Sequence, residues 1–207
     1  MRLLLIRHGE SQGNAGGFIQ GHLDYELTPL GHAQAEATAV RLLSERVDRI
    51  VTSPLLRAST TAEAFGEALG LPLEREWGLA EYDAGHISGL TGPMVRERFP
   101  EVAAAWERGE RPAYPGEEGR EVFATRVRAA LDSLRAREGT TVVVAHGGVI
   151  GLVCSMVITG SDVGRPGMFR VGNCAITEVV EDRAGRLVLA RHNDTCHLDR
   201  VTALDLG

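Results

Sequence analysis

The sequence predicts an α/β fold, a three-layer α/β/α sandwich around a mostly parallel sheet. Strand-like and helix-like patterns alternate along the whole chain, which is typical of parallel sheets covered on both faces. Two apolar runs, residues 3–6 and 141–145, resemble strands buried on both faces, and each ends in a histidine followed by a glycine. At 207 residues, with no repeat or linker, we expect a single domain over 1–207.

The first half of the chain carries recognisable start and stop signals. Thr28 and Pro29 are typical of a helix start, with threonine as the cap and proline in the first position. Pro54 ends the second strand. The signals predict a Gly-rich loop, a helix, a strand and a second helix at residues 13–17, 31–43, 48–53 and 55–69.

The second half begins with a stretch of no clear period, which predicts a loop over residues 77–86. We expect a polar, helix-prone insertion next and, within it, a substrate lid over residues 82–119 together with residues 9–24. The remaining predicted elements are a turn at 112–119, an amphipathic helix over 121–137, a strand over 141–145, a buried helix over 149–158, and a hairpin of 175–180 and 186–191.

The charge composition limits the partners. A net charge of −6 argues against nucleic acid and anionic membranes, so an anion site must be a local concentration of positive charge. All 22 basic residues counted as Lys+Arg are arginine. Schiff-base, P-loop and kinase-type lysines are therefore excluded, and arginine is the strong clamp that remains for phosphate or carboxylate.

Three widely spaced cysteines without a CxxC pair suit a reducing compartment better than a disulfide framework or a zinc site. The apolar N-terminal run is too short for a secretory signal, and no later run is long enough to cross a bilayer. We expect a cytoplasmic protein without a cofactor, and the sequence leaves a homodimer open.

The predicted strand ends bring together residues that suit phosphate chemistry. Arg7 and His8 follow the first strand, His146 follows the later one, and Arg57 lies in the first turn of a helix after another strand. Ligands of open α/β sheets bind beyond the carboxyl ends of the strands. Two arginines and two imidazoles at one point call for a dianion such as a phosphoryl group. The alternative is that these are ordinary strand-end and helix-face side chains.

The chemistry assigns a role to each residue type. His8 can act as a nucleophile, with one ring nitrogen held by the backbone and the other facing phosphorus. The arginines and His146 would stabilise charge on the transferring group. Glu81, in the intervening loop, can protonate the leaving oxygen and later deprotonate water, as a double displacement requires.

Several motifs in this order resemble one family, the histidine phosphatase superfamily, also called the phosphoglycerate mutase-like family. They are Arg7-His8-Gly9-Glu10, Asn14, residues 21–24 and 27–31, Ser53-Pro54-Leu55-Leu56-Arg57-Ala58, Thr61-Ala62, Glu81 with Gly85, Ala145-His146-Gly147-Gly148, and residues 193–198. The resemblance implies a phosphohistidine on His8 and Glu81 as proton donor. It implies a phosphate pocket of Arg7, Arg57 and His146, assisted by Asn14; we add Gln20, Gly21 and Gly147 to the predicted binding set.

Within that family the residues favour a metal-independent phosphomonoesterase of small metabolites over a mutase. Tyr82 stands where cofactor-dependent mutases have arginine, Ala84 replaces a tyrosine, and no lysine is present to hold a substrate carboxylate. Glutamine at position 20 also resembles the phosphatase members of the family, because the mutases tend to have threonine at that position. The expected partners are a phosphate ester and, as product, inorganic phosphate.

Two other classes stay open as alternatives to a phosphatase or mutase. An inactive phosphoester-binding scaffold would keep the fold, although His8, Glu81 and His146 are all present. A metal hydrolase has histidines available but no compact ligand motif, and the arginines would repel a cation.

The predicted lid has two further features. Apolar and aromatic side chains would supply its wall, with Trp106 packing the insertion onto the body: Phe18, Ile19, Tyr82, Met94 and Phe99. Gly119 stands where many small phosphatases have a serine that would cap the following helix, while Glu118 keeps the preceding acid.

Overall fold

The computed structural model describes residues 1–160, 169–199 and 201. Its centre is a six-stranded sheet. The strands are β1 (Arg2–Arg7), β2 (Arg49–Thr52), β3 (Leu73–Arg75), β4 (Thr140–Ala145), β5 (Ile176–Glu181) and β6 (Leu187–Asp194). They lie in the order β3-β2-β4-β1-β5-β6; the first four run parallel, and β5 and β6 form an antiparallel hairpin at one side.

Helices cover both faces of this sheet, as the sequence predicts. α2 (Pro29–Leu42) and α3 (Leu56–Leu69) lie on one face, and α6 (Arg120–Arg135) and α7 (Gly147–Thr159) lie on the other. The described residues also form α1 (Gln12–Ala15), α4 (Gly92–Arg98) and α5 (Pro100–Glu107), which belong to the connections between these elements. None of the helices in the described ranges has the length and apolarity needed to cross a bilayer.

Alternate residues of the central strands feed two separate cores, which explains why β1 and β4 are apolar throughout. Leu3 and Leu5 pack with α6 and α7, whereas Leu4 and Ile6 pack with α2 and α3. The predicted three-layer α/β sandwich is confirmed.

Backbone contact fixes the turn that follows β1. Gly9 has an ordinary φ, but a Cβ there would lie 2.4 Å from the carbonyl oxygen of Gly31, and a Cβ on Gly31 would lie 2.0 Å from that of Glu10. The two glycines thus allow the start of α2 to lie directly on the turn that carries His8. Thr28 caps α2 as predicted, accepting a hydrogen bond from the Gly31 amide at 3.0 Å.

The structure corrects several local predictions. The Gly-rich loop contains the short helix α1, and the loop at 77–86 contains two 3₁₀ turns, Trp77–Leu79 and Gly85–Ile87. β3 is an edge strand of three residues, too short to give an apolar pattern. The insertion is two helices, because Pro100 disfavours helical geometry at Phe99 (φ −135°, ψ 65°) and breaks the run there.

Candidate active site

The two histidines lie side by side because β1 and β4 are neighbours in register. Arg7 pairs with Ala145, so each strand places its histidine one residue beyond the same edge of the sheet. The His8 amide donates to the Ala145 carbonyl at 3.0 Å, and the two ring centroids are 5.1 Å apart.

His8 is buried and held in one orientation. Its Nδ1 lies 2.7 Å from the Gly9 carbonyl oxygen, which can only accept, so Nδ1 carries the proton and Nε2 of the neutral ring keeps its lone pair. Burial, reinforced by the charges of Arg7 and Arg57, holds the pKa of His8 well below its ordinary value of 6.5. The ring is therefore neutral at neutral pH, with Nε2 available as a nucleophile.

His146 is fully buried against His8 and is not among the residues that line the cavity described below. Its Nε2 lies 2.8 Å from the Ser53 hydroxyl, a partner that the sequence analysis did not assign. Burial, followed by the proximity of His8 and Arg57, holds the pKa of His146 well below its ordinary value. Within the described residues its Nδ1 has no hydrogen-bond partner.

Arg7 and Arg57 bring two guanidinium groups to this edge. Arg7 donates to the Val171 carbonyl at 2.7 Å, and Arg57 donates to the carbonyls of Gly21 (2.9 Å) and Leu23 (2.8 Å). Their partners are backbone carbonyls rather than carboxylates, and the buried Nε of each is without a partner in the part of the chain described. Both cations thus keep donor capacity for an anion.

Glu81 reaches the same point from the loop before the insertion. One carboxylate oxygen accepts from the Tyr82 amide at 2.8 Å, and the other accepts from the Gly148 amide, at the start of α7, at 3.1 Å. A Cβ on Gly148 would lie 2.3 Å from Glu81 Oε1. The glycine therefore makes room for the acid. Gly147 precedes it, and a Cβ built on Gly147 would lie 3.9 Å from Arg7 Nε.

Asn14 and Gln20 belong to one small network around Ser11. The Asn14 Oδ1 accepts from the Ser11 amide at 3.1 Å, which leaves the Asn14 NH₂ group to donate elsewhere. The Gln20 Oε1 lies 2.9 Å from the Ser11 hydroxyl. Gly21 adopts a φ of +50° and presents its carbonyl to Arg57.

Asn173 is a site residue that sequence reasoning missed. Its side-chain amide donates to the backbone carbonyl of His8 at 2.9 Å and contacts the Asn14 Oδ1 at 3.2 Å. It lies next to Cys174, which has a φ of 55° and whose amide donates to the Arg7 carbonyl. No motif marks Asn173, because its role depends on β5 lying beside β1.

Arg7, His8, Arg57 and Glu81 line a cavity of about 840 Å³, a volume typical of small-molecule sites. These four residues form its polar end. Its outer end is largely aromatic and carries two arginines: Phe18, Tyr82, Arg111, Tyr114, Arg120, Phe123 and Phe169.

The predicted apolar wall is correct only in part. Phe18, Ile19 and Tyr82 line the cavity, but Met94 and Phe99 do not. Those two pack inside the insertion around Ile87, Val95 and Val102, and Trp106 packs there rather than onto the body. The insertion has an apolar core of its own that uses these side chains.

Among the described residues, no group of three or more His, Cys, Asp or Glu side chains is arranged to hold a metal ion. The site brings together two imidazoles, two guanidinium groups and one carboxylate instead. This set can bind a phosphoryl group and exchange it between a nitrogen and an oxygen.

Comparisons with known proteins agree with this chemistry. Phosphoserine phosphatase 1 of Hydrogenobacter thermophilus is 34% identical over 96% of this chain and 94% of its own. A chain named as a probable phosphoglycerate mutase from Yersinia enterocolitica is 33% identical over 99% and 98%. The structure of a mycobacterial glucosyl-3-phosphoglycerate phosphatase with VO3 superposes with a TM-score of 0.83 at 32% identity, covering 94% of this chain and 99% of that one.

The family model described as histidine phosphatase superfamily (branch 1) matches residues 3–195, nearly the whole chain. Relatives at more than 30% identity over almost their full length point the same way. The chain belongs to the histidine phosphatase superfamily.

Proposed function

We propose that the protein hydrolyses phosphate monoesters through a phosphohistidine on His8, without a metal. The observation that carries the proposal is the state of His8: a buried neutral ring whose Nδ1 is fixed on the Gly9 carbonyl, beside Arg7 and Arg57, whose partners among the described residues are backbone carbonyls. A nucleophilic nitrogen surrounded by cations suits attack on a phosphoryl dianion.

In the first step His8 Nε2 attacks phosphorus and the P–O bond to the alcohol breaks. Glu81, in its protonated form, gives its proton to the leaving oxygen. Arg7, Arg57 and His146 stabilise the charge on the three equatorial oxygens, and the Asn14 amide donates to one of them. Gln20, Gly21 and Gly147 complete the binding set that surrounds the phosphoryl group.

In the second step Glu81, now a carboxylate, removes a proton from water as the water oxygen attacks phosphorus. The N–P bond breaks, inorganic phosphate leaves and His8 returns to its neutral form. One carboxyl group serves both steps because the second is the reverse of the first with water in place of the alcohol. The hydrogen bonds from Tyr82 and Gly148 hold that carboxyl group over the site.

The outer end of the cavity favours a small-molecule ester whose alcohol part is large enough to reach the aromatic rings there. Five aromatic rings line it, and Arg111 is already engaged between the rings of Tyr82 and Tyr114 and by Glu117 at 3.2 Å. Because Arg111 is engaged and the chain has no lysine, Arg120 is the remaining cation among the described residues at this end for a substrate carboxylate, which favours a phosphatase over a mutase. Residues 82–119, with 9–24, form the lid of this single-domain enzyme in our proposal.

The fit of a small-molecule substrate follows from charge as well as shape. The net charge of −6 opposes a nucleic-acid substrate.

All three cysteines are free thiols, two of them buried, which agrees with a cytoplasmic location. We include a homodimer in the proposal, and light scattering on the purified chain tests it.

A phosphate-ester panel with excess EDTA tests the proposal. Phosphoserine, sugar phosphates, nucleotide monophosphates, 3-phosphoglycerate and p-nitrophenyl phosphate are compared for wild type, His8→Ala and Glu81→Gln. We expect hydrolysis that survives EDTA, an acid-labile phosphoenzyme absent from His8→Ala, and the largest loss in Glu81→Gln on alkyl esters. Rapid interconversion of phosphoglycerates without hydrolysis would make the protein a mutase. Ester binding without turnover would make it a scaffold.

A further inference from the structure

Glu81 depends on its surroundings for its position. It lies between two 3₁₀ turns, in a stretch without regular structure, so no ladder of helix or strand hydrogen bonds orients its backbone. A general acid is effective only when its carboxyl group stays within hydrogen-bond reach of the leaving oxygen. The groups that hold the Glu81 backbone therefore bear on the reaction.

Arg126, on α6, donates all five of its N–H groups around this stretch. Three go to backbone acceptors just before and at the acid: the carbonyls of Gly78 (3.1 Å), Ala80 (2.6 Å) and Glu81 itself (2.8 Å). The other two form a bidentate pair with Glu118 at 2.9 and 2.7 Å. Lysine has three donors at one point and cannot reproduce this planar fork.

Glu118 holds the other side of the acid. While it pairs with Arg126, its Oε1 also accepts from the Asp83 amide at 2.8 Å. The two side chains together grip the backbone from residue 78 to residue 83, with Glu81 in between. We call Arg126 and Glu118 the Glu81 clamp.

The clamp is partly buried and lies outside the substrate cavity. The side chains of Arg126 and Glu118 are 15% and 12% exposed, and neither lines the cavity. Gly78 keeps the contact close: a Cβ there would lie 2.8 Å from the Arg126 carbonyl oxygen and from Ala130 Cβ. Arg126 thus contacts the acid's loop directly from outside the cavity, whereas other residues of α6, among them Arg120 and Phe123, line the cavity itself.

We propose that Arg126 and Glu118 are positioning residues for Glu81 and that their loss selectively impairs proton transfer to the leaving group. This inference rests on the proposed role of Glu81 as general acid. An ester of a good leaving group needs little protonation, whereas an alkyl ester needs much. The clamp therefore matters for the alkyl ester and not for the aryl ester.

The test compares kcat/KM for glycerol 3-phosphate and 2,4-dinitrophenyl phosphate in Arg126→Gln, Arg126→Lys and Glu118→Gln. We expect Arg126→Gln to lower kcat/KM by about 100-fold for glycerol 3-phosphate and by less than about threefold for 2,4-dinitrophenyl phosphate. Arg126→Lys follows the same pattern more weakly. Arg135→Gln is the matched control: it removes an α6 ion pair, to Glu181 at 2.9 Å, at the far end of the helix, and should leave the alkyl-to-aryl ratio unchanged.

Glu81→Gln separates this inference from the proposed function. If Glu81→Gln lowers kcat/KM equally for both esters, Glu81 is not the general acid. If Glu81→Gln is selective but Arg126→Gln and Glu118→Gln lower both esters equally, the clamp proposal is overturned. In the double variant Glu81→Gln/Arg126→Gln, we expect no loss beyond that of Glu81→Gln. Should Arg126→Gln fail to fold, Glu118→Gln decides the question, with aryl-ester turnover reporting its folded state.

Discussion

The rings of His8 and His146 lie 5.1 Å apart, centroid to centroid, with planes tilted by 58°, and both are buried beside two arginines. Burial, reinforced by the positive charges of the two arginines, lowers the pKa values of both histidines. The site is thus positively charged through its arginines alone until a phosphoryl dianion enters. This arrangement determines how activity and stability depend on pH.

The nucleophile should stay active in mild acid. Because the pKa of His8 lies well below 6.5, we expect the acidic limb of kcat/KM that reports the free enzyme to lie below pH 6.5. The measurement is a kcat/KM profile from pH 4.5 to 8, corrected for the ionisation of the substrate measured separately. A limb at or above pH 6.5 that remains after this correction would show that the pKa of His8 is not lowered in the free enzyme.

The same two histidines should make folding stability fall in acid. A histidine with a lowered folded pKa binds its proton more readily when unfolded, so its stabilising contribution is present above pH 6.5 and is lost as pH drops below that value. Each can contribute a slope of up to about 1.4 kcal/mol per pH unit. We expect urea unfolding between pH 7.5 and 5.5 to show a steeper loss for wild type than for His8→Gln/His146→Gln. Parallel curves would contradict the prediction.

Gly148→Ala should impair the acid without disturbing the histidines. The added Cβ would lie 2.3 Å from Glu81 Oε1, so the carboxylate must move from its place over α7. We expect kcat/KM for an alkyl ester to fall by about 100-fold or more, and that for an activated aryl ester much less. Gly151→Ala, one turn later, also adds a methyl group to the cavity lining but meets only ordinary contacts with Phe169, so it is the control for the added methyl group itself. Equal losses on both esters in Gly148→Ala would mean that the phosphate pocket itself had shifted.

Asn173→Ala should weaken phosphate binding through Asn14. The lost side chain holds both the His8 carbonyl and the Asn14 Oδ1, so the Asn14 amide loses one of the contacts that aim it. We expect the inhibition constant for inorganic phosphate to rise by about tenfold, the equivalent of one hydrogen bond to a charged group. The double variant Asn14→Ala/Asn173→Ala should raise this inhibition constant no more than Asn14→Ala alone does. Additive losses would show that the two act independently.

The sequence is sufficient to predict the site residues that follow strand ends or open helices. Arg7, His8, Arg57 and His146 all lie at such points, and parallel strands bring their ends to one edge. Period and cap signals likewise predict α2, α3 and α6 to within a few residues. These features depend on neighbours close in sequence or on a general property of parallel sheets.

What the sequence could not predict depends on distant contacts. Asn173 contacts His8 only because β5 pairs with β1, and Ser53 meets His146 across β2 and β4. Met94 and Phe99 are apolar enough to line a pocket, yet the insertion uses them for its own core. An apolar residue in a loop region gives no signal of which of two apolar environments it will enter.

Arg57 is bonded to the loop that shapes the entrance of the cavity, through the carbonyls of Gly21 and Leu23. Substitutions in residues 18–23 that aim to change the substrate range would therefore also perturb Arg57. We expect such variants to accept new substrates only with a lower turnover rate. The opposite wall, with Tyr114 and Phe123, has no such link to Arg57 among the described contacts. Directed evolution should find new specificities there at a smaller loss of turnover.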